Sequence, residues 1–108
     1  VVSISGLHDL RPLLRTKMND TLRMDAAEAA TESAALQTPI EGLSLCCWVG
    51  EEERPEFRRQ NALLANIWTG LGARTKAVEA PGRHHFGVIE ELADPASGLI
   101  EAWVDGVA

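Results

Sequence analysis

The sequence predicts an α/β domain, with a parallel sheet between helices in a three-layer α/β/α sandwich. Three observations predict it. Runs of strand length at residues 1–4, 43–49 and 74–79 alternate with helical runs, the order that builds a parallel sheet with right-handed crossovers. The middle run, Leu-Ser-Leu-Cys-Cys-Trp-Val, is nearly all apolar, as a strand buried on both faces must be. The segments after the second and third runs, Gly50-Glu51-Glu52-Glu53-Arg54 and Pro81-Gly82-Arg83-His84-His85, carry carboxylates and imidazoles. Loops after parallel strands gather at the carboxyl edge of the sheet, where ligands bind.

Val1-Val2-Ser3-Ile4 is short and mostly β-branched, and Ser5-Gly6 breaks it; it reads as a buried parallel strand. Pro12 and the mixed run to Lys17 fit a loop with a helical turn, and residues 19–23 a second short helix. Asp25 is a good N-cap with Glu28 three positions on, the spacing of a capping box. Alanines extend that helix to about Ala35, and Pro39 and Gly42 close the connection. Gly50 ends the second strand, and Pro55 suits the first turn of the next helix. Phe57, Leu64, Trp68 and Leu71 share one stripe of that helix, which Gly70 and Gly72 terminate. The third strand is half polar, as at an edge. Residues 86–93 read as a helix stopped by Asp94-Pro95, and Ser97 caps a last helix with Leu99, Ile100, Trp103, Val104 and Val107.

A chain of 108 residues, 45% hydrophobic and 24% charged, makes one small globular domain or a piece of a larger one. A net charge of -6 excludes phosphate-backbone binding, and Arg58-Arg59 is a solvated pair. No run approaches the ~18 apolar residues that span a membrane, and no signal peptide is visible. The first strand needs sheet neighbours on both sides, and the chain supplies one. With Val1 in place of a methionine, an amino-terminal part outside these residues is expected. Cys46 and Cys47 are adjacent in a strand, so they point to opposite faces and cannot bridge. Two buried, reduced thiols suit a cytoplasmic protein.

A histidine in a loop after one strand, beside a carboxylate cluster after the neighbouring strand, is how an α/β enzyme presents a general base. The carboxylate holds the imidazole tautomer and stabilises the imidazolium formed when a serine proton is taken. No Gly-x-Ser-x-Gly elbow surrounds any serine, and Ser5 lacks the setting of a nucleophile. A metal site from His8, His84, His85 and a glutamate has no supporting spacing.

Pro55-Glu56-Phe57-Arg58-Arg59-Gln60, Pro81-Gly82-Arg83-His84-His85-Phe86, Glu90-Glu91-Leu92 and the run Ser3 through Leu10 resemble the α/β-hydrolase fold. Within it they are most similar to the esterases related to kynurenine formamidase (arylformamidase). The resemblance covers nearly all of this chain but only the carboxy-terminal part of that fold. It implies His85 as the catalytic base and Glu52 as the acid, with Glu53 or Glu51 as alternatives because the loop register is open. The family has aspartate at the acid position, one methylene shorter. His84 takes a substrate-pocket position. The nucleophile elbow and oxyanion loop belong to earlier strands without counterpart here. The function implied is that of part of a serine hydrolase acting on carboxylic esters or aryl formamides, without cofactor or metal. Its partners would be a small substrate, the amino-terminal part of the same fold and, in a homo-oligomer, further copies. The chain alone is expected to be inactive. The other reading is a non-catalytic, truncated α/β module used for association.

Overall fold

A computed structural model describes residues 1–106; Val107, expected in the last helix, lies outside the described residues. Strands β1 (Val2–Ile4), β2 (Ser44–Gly50) and β3 (Arg74–Ala80) form a parallel sheet in the order β1-β2-β3. Val2 pairs with Cys46, and Ser44 through Gly50 pair with Arg74 through Ala80 without a slip. This agrees with the alternation in the sequence. β1 is half-buried rather than buried, because among the described residues only β2 pairs with it.

The excursion after β1 contains a 3-10 turn at Arg11–Arg15, α1 (Asn19–Leu22), α2 (Ala26–Thr31) and a 3-10 turn at Ala34–Leu36. Asp25 caps α2 through its side chain, which accepts from the Glu28 amide at 2.8 Å. Helix α2 stops at Thr31, short of Ala35. Ser33 turns the chain there. Its hydroxyl donates to the Ala29 carbonyl at 2.5 Å and accepts from the Leu10 amide at 2.8 Å. The Ala35 amide then goes to the His8 carbonyl instead of continuing the helix. Tertiary bonds here outweigh alanine's helix propensity.

Pro55 opens α3 (Pro55–Thr69), which packs on β2 and β3. Leu64 and Ala65 join Leu45 and Cys47 in one core. Leu71 lies past the helix end and is exposed, so the apolar stripe is shorter than its spacing implies. Two polar residues complete the buried face, Gln60 and Asn61. Asn61 Nδ2 donates to the Cys47 carbonyl at 3.1 Å. Gln60 is fully buried and grips the chain after β1. Its Oε1 accepts from the amides of His8 (2.6 Å) and Asp9 (2.8 Å), and its Nε2 donates to the Asp9 carbonyl at 2.8 Å. A buried backbone group left unmet costs about 1–3 kcal/mol. Gln60→Leu keeps the volume and strands three such groups, so it should destabilise by about 3 kcal/mol or more. Denaturant unfolding measures the loss.

On the other face, Cys46, Trp48, Ala80 and Val88 pack with Leu99 of α4 (Gly98–Asp105). The two cysteines therefore belong to opposite cores, and both are free. Burial, then the neighbouring Cys46, pushes the Cys47 thiol up to about 11, so it stays protonated and inert. Residues 88–93 form a 3-10 turn instead of an α-helix. Trp48 Nε1 donates to Glu91 Oε2 at 3.0 Å, which ties that turn to the sheet. Ser97 caps α4 by accepting the Ile100 amide at 3.2 Å. No helix among the described residues is long and apolar enough to cross a membrane.

Candidate active site

The ends of all three strands converge at the carboxyl edge. Gly50 closes β2 where a side chain would not fit: a Cβ there would lie 2.2 Å from the Arg83 carbonyl oxygen. That close approach lets the two loops bond directly. The Glu51 amide donates to the Ala80 carbonyl and the Glu52 amide to the Arg83 carbonyl, each at 2.9 Å. Residues 50–53 form a tight turn, with the Glu53 amide returning to the Gly50 carbonyl at 3.1 Å.

This turn decides which glutamate points inward. Glu51 and Glu52 occupy its two central positions and are exposed. Glu53, at its last position, folds back under the loop, with its side chain 0% exposed. Its Oε2 accepts from the Gly50 amide at 2.6 Å and from the Ser5 hydroxyl at 2.6 Å. His85 Nδ1 lies 2.7 Å from Glu53 Oε1. The bond expected between Glu52 and His85 is not formed. Glu53, the alternative, makes it, because the last position of the turn folds back under the loop while the two central positions point outward. Glu51 instead accepts the Gly82 amide at 3.3 Å, which steadies the loop ahead of the histidines.

A carboxylate can only accept, so His85 Nδ1 carries a proton, and in the neutral form of the ring the lone pair falls on Nε2. The ring is 43% exposed and packs on Phe57, with centroids 4.7 Å apart, and edge-on to Phe86 at 5.3 Å. Beside it opens a pocket of about 290 Å³ lined by Ile4, Ser5, His85, Phe86, Val88 and Ile89. Burial pushes the Glu53 carboxyl up, but the bonds from Ser5, Gly50 and His85 together hold it below the ordinary value. It is therefore an anion beside the imidazole at neutral pH. Such a pair can take a proton at Nε2 and stabilise the resulting imidazolium.

His84, expected at a substrate-pocket position, lies next to His85 but does not line the cavity beside it. Its Nδ1 accepts the Gly87 amide at 2.9 Å, and this local bond turns the ring onto the start of the 3-10 segment. His8 stands apart on the α3 side. Its Nδ1–H donates to the Gln60 carbonyl at 3.1 Å, and its Nε2 accepts from Ser3 at 2.7 Å. Burial holds its pKa below the ordinary value, so it serves as a neutral structural link. No group of three or more His, Cys, Asp or Glu side chains among the described residues is placed to hold a metal ion. Ser5 joins the site without a sequence signal for it, since its contact with Glu53 spans 48 positions of sequence.

No family model matches the chain. A kynurenine formamidase from Danio rerio is 27% identical to it over 96 residues, and one from Salmo salar is 30% identical over 97 residues. Each alignment covers 84% of this chain and 33% of the relative, so the chain spans about a third of the length of the curated relatives it matches. A solved structure of a candidate thioesterase from Silicibacter sp. TM1040 superposes with a TM-score of 0.83 at 46% identity, over 94% of this chain and 37% of that one. In sequence and structure the chain is thus similar to hydrolase-like proteins.

Proposed function

We propose that residues 1–108 are the carboxy-terminal part of an α/β-hydrolase domain and supply the base and acid of a Ser-His-acid triad, with His85 as base and Glu53 as acid. The nucleophilic serine and the oxyanion donors would come from an amino-terminal part of the same protein. The observation that carries this reading is the 2.7 Å bond between His85 Nδ1 and Glu53 Oε1, formed where adjacent parallel strands end. The parallel order β1-β2-β3 and the likeness to kynurenine formamidases and to a candidate thioesterase support it. Buried, unbridged Cys46 and Cys47 fit a reducing, cytoplasmic setting.

The reaction is acyl transfer to serine followed by hydrolysis. The serine oxygen adds to the substrate carbonyl as its proton passes to His85 Nε2. His85 returns that proton to the departing alcohol, thiol or arylamine. Water then repeats the cycle on the acyl-enzyme and releases the acid. Carboxylic esters, thioesters and aryl formamides share this chemistry, and esters or aryl formamides are the favoured class.

The test combines turnover with labelling. The whole protein should hydrolyse a chromogenic acetate ester, and a fluorophosphonate should modify one serine outside residues 1–108. The 108-residue chain should show no turnover above buffer, because an isolated base and acid lack a nucleophile and an oxyanion site. Modification of Ser3, Ser5 or any other serine within this chain, with matching loss of activity, would sink the proposal.

A further inference from the structure

We propose that Ser5 is a positioning residue for the base–acid pair: its hydroxyl locks the Glu53 carboxylate in the orientation that leaves Oε1 facing His85. The inference rests on the reading of His85 as base and Glu53 as its orienter.

Glu53 is 5% exposed, so its lone pairs must be met from within the protein. A carboxylate held by one donor can still turn about its last side-chain bond. Here two donors converge on the same oxygen, the Ser5 hydroxyl and the Gly50 amide, each at 2.6 Å. Together they fix the carboxylate plane and direct the second oxygen to the imidazole at 2.7 Å. The hydroxyl is aimed by the backbone. The Ser5 amide donates to the Trp48 carbonyl at 2.8 Å, which adds one bond to the β1–β2 ladder beyond the last strand residue. The chain then turns sharply at Ser5, whose φ is +50°. That conformation is unfavourable for any residue with a Cβ and natural for glycine. Glycine follows one position later, at Gly6, where a Cβ would lie 2.3 Å from His8 Nε2. The turn thus places a hydroxyl-bearing residue where backbone preference alone calls for glycine. Ser5 also lines the pocket beside His85, so the lock stands at the edge of the reacting space.

Two substitutions separate positioning from structural support. Ser5→Gly removes the hydroxyl and relieves the backbone. Ser5→Thr keeps the hydroxyl and aggravates the backbone. In the whole protein, with a chromogenic acetate ester, Ser5→Gly should lower kcat about ten- to a hundredfold, the usual effect of losing a hydrogen bond to a charged group. KM should hardly change, and Tm should fall little, because relief of the positive-φ backbone offsets much of the lost hydrogen bond. Ser5→Thr should keep kcat within about threefold, by the same reasoning, while Tm falls. Activity would then follow the hydroxyl and stability the backbone. Proton NMR gives a readout without turnover: the low-field His85 Nδ1–H resonance should persist in Ser5→Thr and be lost in Ser5→Gly. Wild-type kcat and an intact resonance in Ser5→Gly would overturn the proposal, as would kcat that follows Tm in both variants. His85→Ala is the control arm. If it is inactive while Ser5→Gly is fully active, only the role of Ser5 fails; if it is fully active, the reading of the site falls and the role of Ser5 with it.

Discussion

Replacing His85 by alanine in the whole protein should lower kcat for a short acyl ester on the order of a millionfold, equivalent to about 8 kcal/mol of lost transition-state stabilisation. The size of the effect follows from what the imidazole does. In the proposed mechanism it moves a proton in acylation and again in deacylation, and among the described residues no second histidine is placed to replace it. His84 is adjacent in sequence, but its Nδ1 is occupied by the Gly87 amide and it does not line the pocket beside His85. KM should hardly change, since the acyl group is not expected to rest on the ring. The protein should still fold. His85 is 43% exposed and sits at the surface of the site, stacked on Phe57 and edge-on to Phe86, rather than in either hydrophobic core. Steady-state kinetics with Tm measured on the same preparation checks both points. Wild-type turnover in His85→Ala would remove His85 from the mechanism.

The sheet was legible because its signals are local. A continuous apolar run such as residues 43–49 admits few structures other than a doubly covered strand. Gly50 and Pro55 then mark the end of that strand and the start of the next helix. His85 came from the family resemblance carried by Pro81 through Phe86 and Pro55-Glu56-Phe57, short motifs that are themselves local in sequence. The glutamate that meets His85 was harder to read, since three consecutive glutamates differ only in where a turn points them. The geometry of that turn depends on the close approach of Gly50 to the Arg83 carbonyl, a contact between loops 33 positions apart. The polar residues Gln60 and Asn61 were missed on α3 for a related reason. Periodicity ranks side chains by hydrophobicity, and a buried amide that satisfies distant backbone groups looks like surface. Ser5 and Ser33 are further cases. Each acts through a hydroxyl bond to a partner that sequence spacing does not reveal, one holding a carboxylate and the other ending a helix that alanines would have continued.

Glu53→Gln should lower kcat on the order of ten-thousandfold, whereas Glu52→Gln should leave it within about twofold, as for exposed residues remote from the chemistry. The geometry of the carboxylate explains why so small a change does so much. The Ser5 hydroxyl and the Gly50 amide both donate to Oε2. In glutamine they would select the amide oxygen for that position and turn the NH2 group toward His85. An NH2 donor requires an acceptor at Nδ1, so the ring would carry its proton on Nε2, the atom that must be free to receive one. The base would be present, correctly placed and in the wrong tautomer. The same substitution has a signature in stability. The folded carboxyl lies below its ordinary value of 4.5, so near that pH the unfolded chain binds more protons than the folded one. The stabilisation from Glu53 is therefore complete above about pH 4.5 and is lost as pH falls through the lower folded value. Wild type should consequently exceed Glu53→Gln in stability at neutral pH, with the gap narrowing steadily on acidification below that point. Denaturant unfolding of both proteins across the acidic range measures the gap. A gap that stays constant would mean that Glu53 is not held as a buried anion, and a Glu52→Gln variant as inactive as Glu53→Gln would return the acid to the neighbouring position.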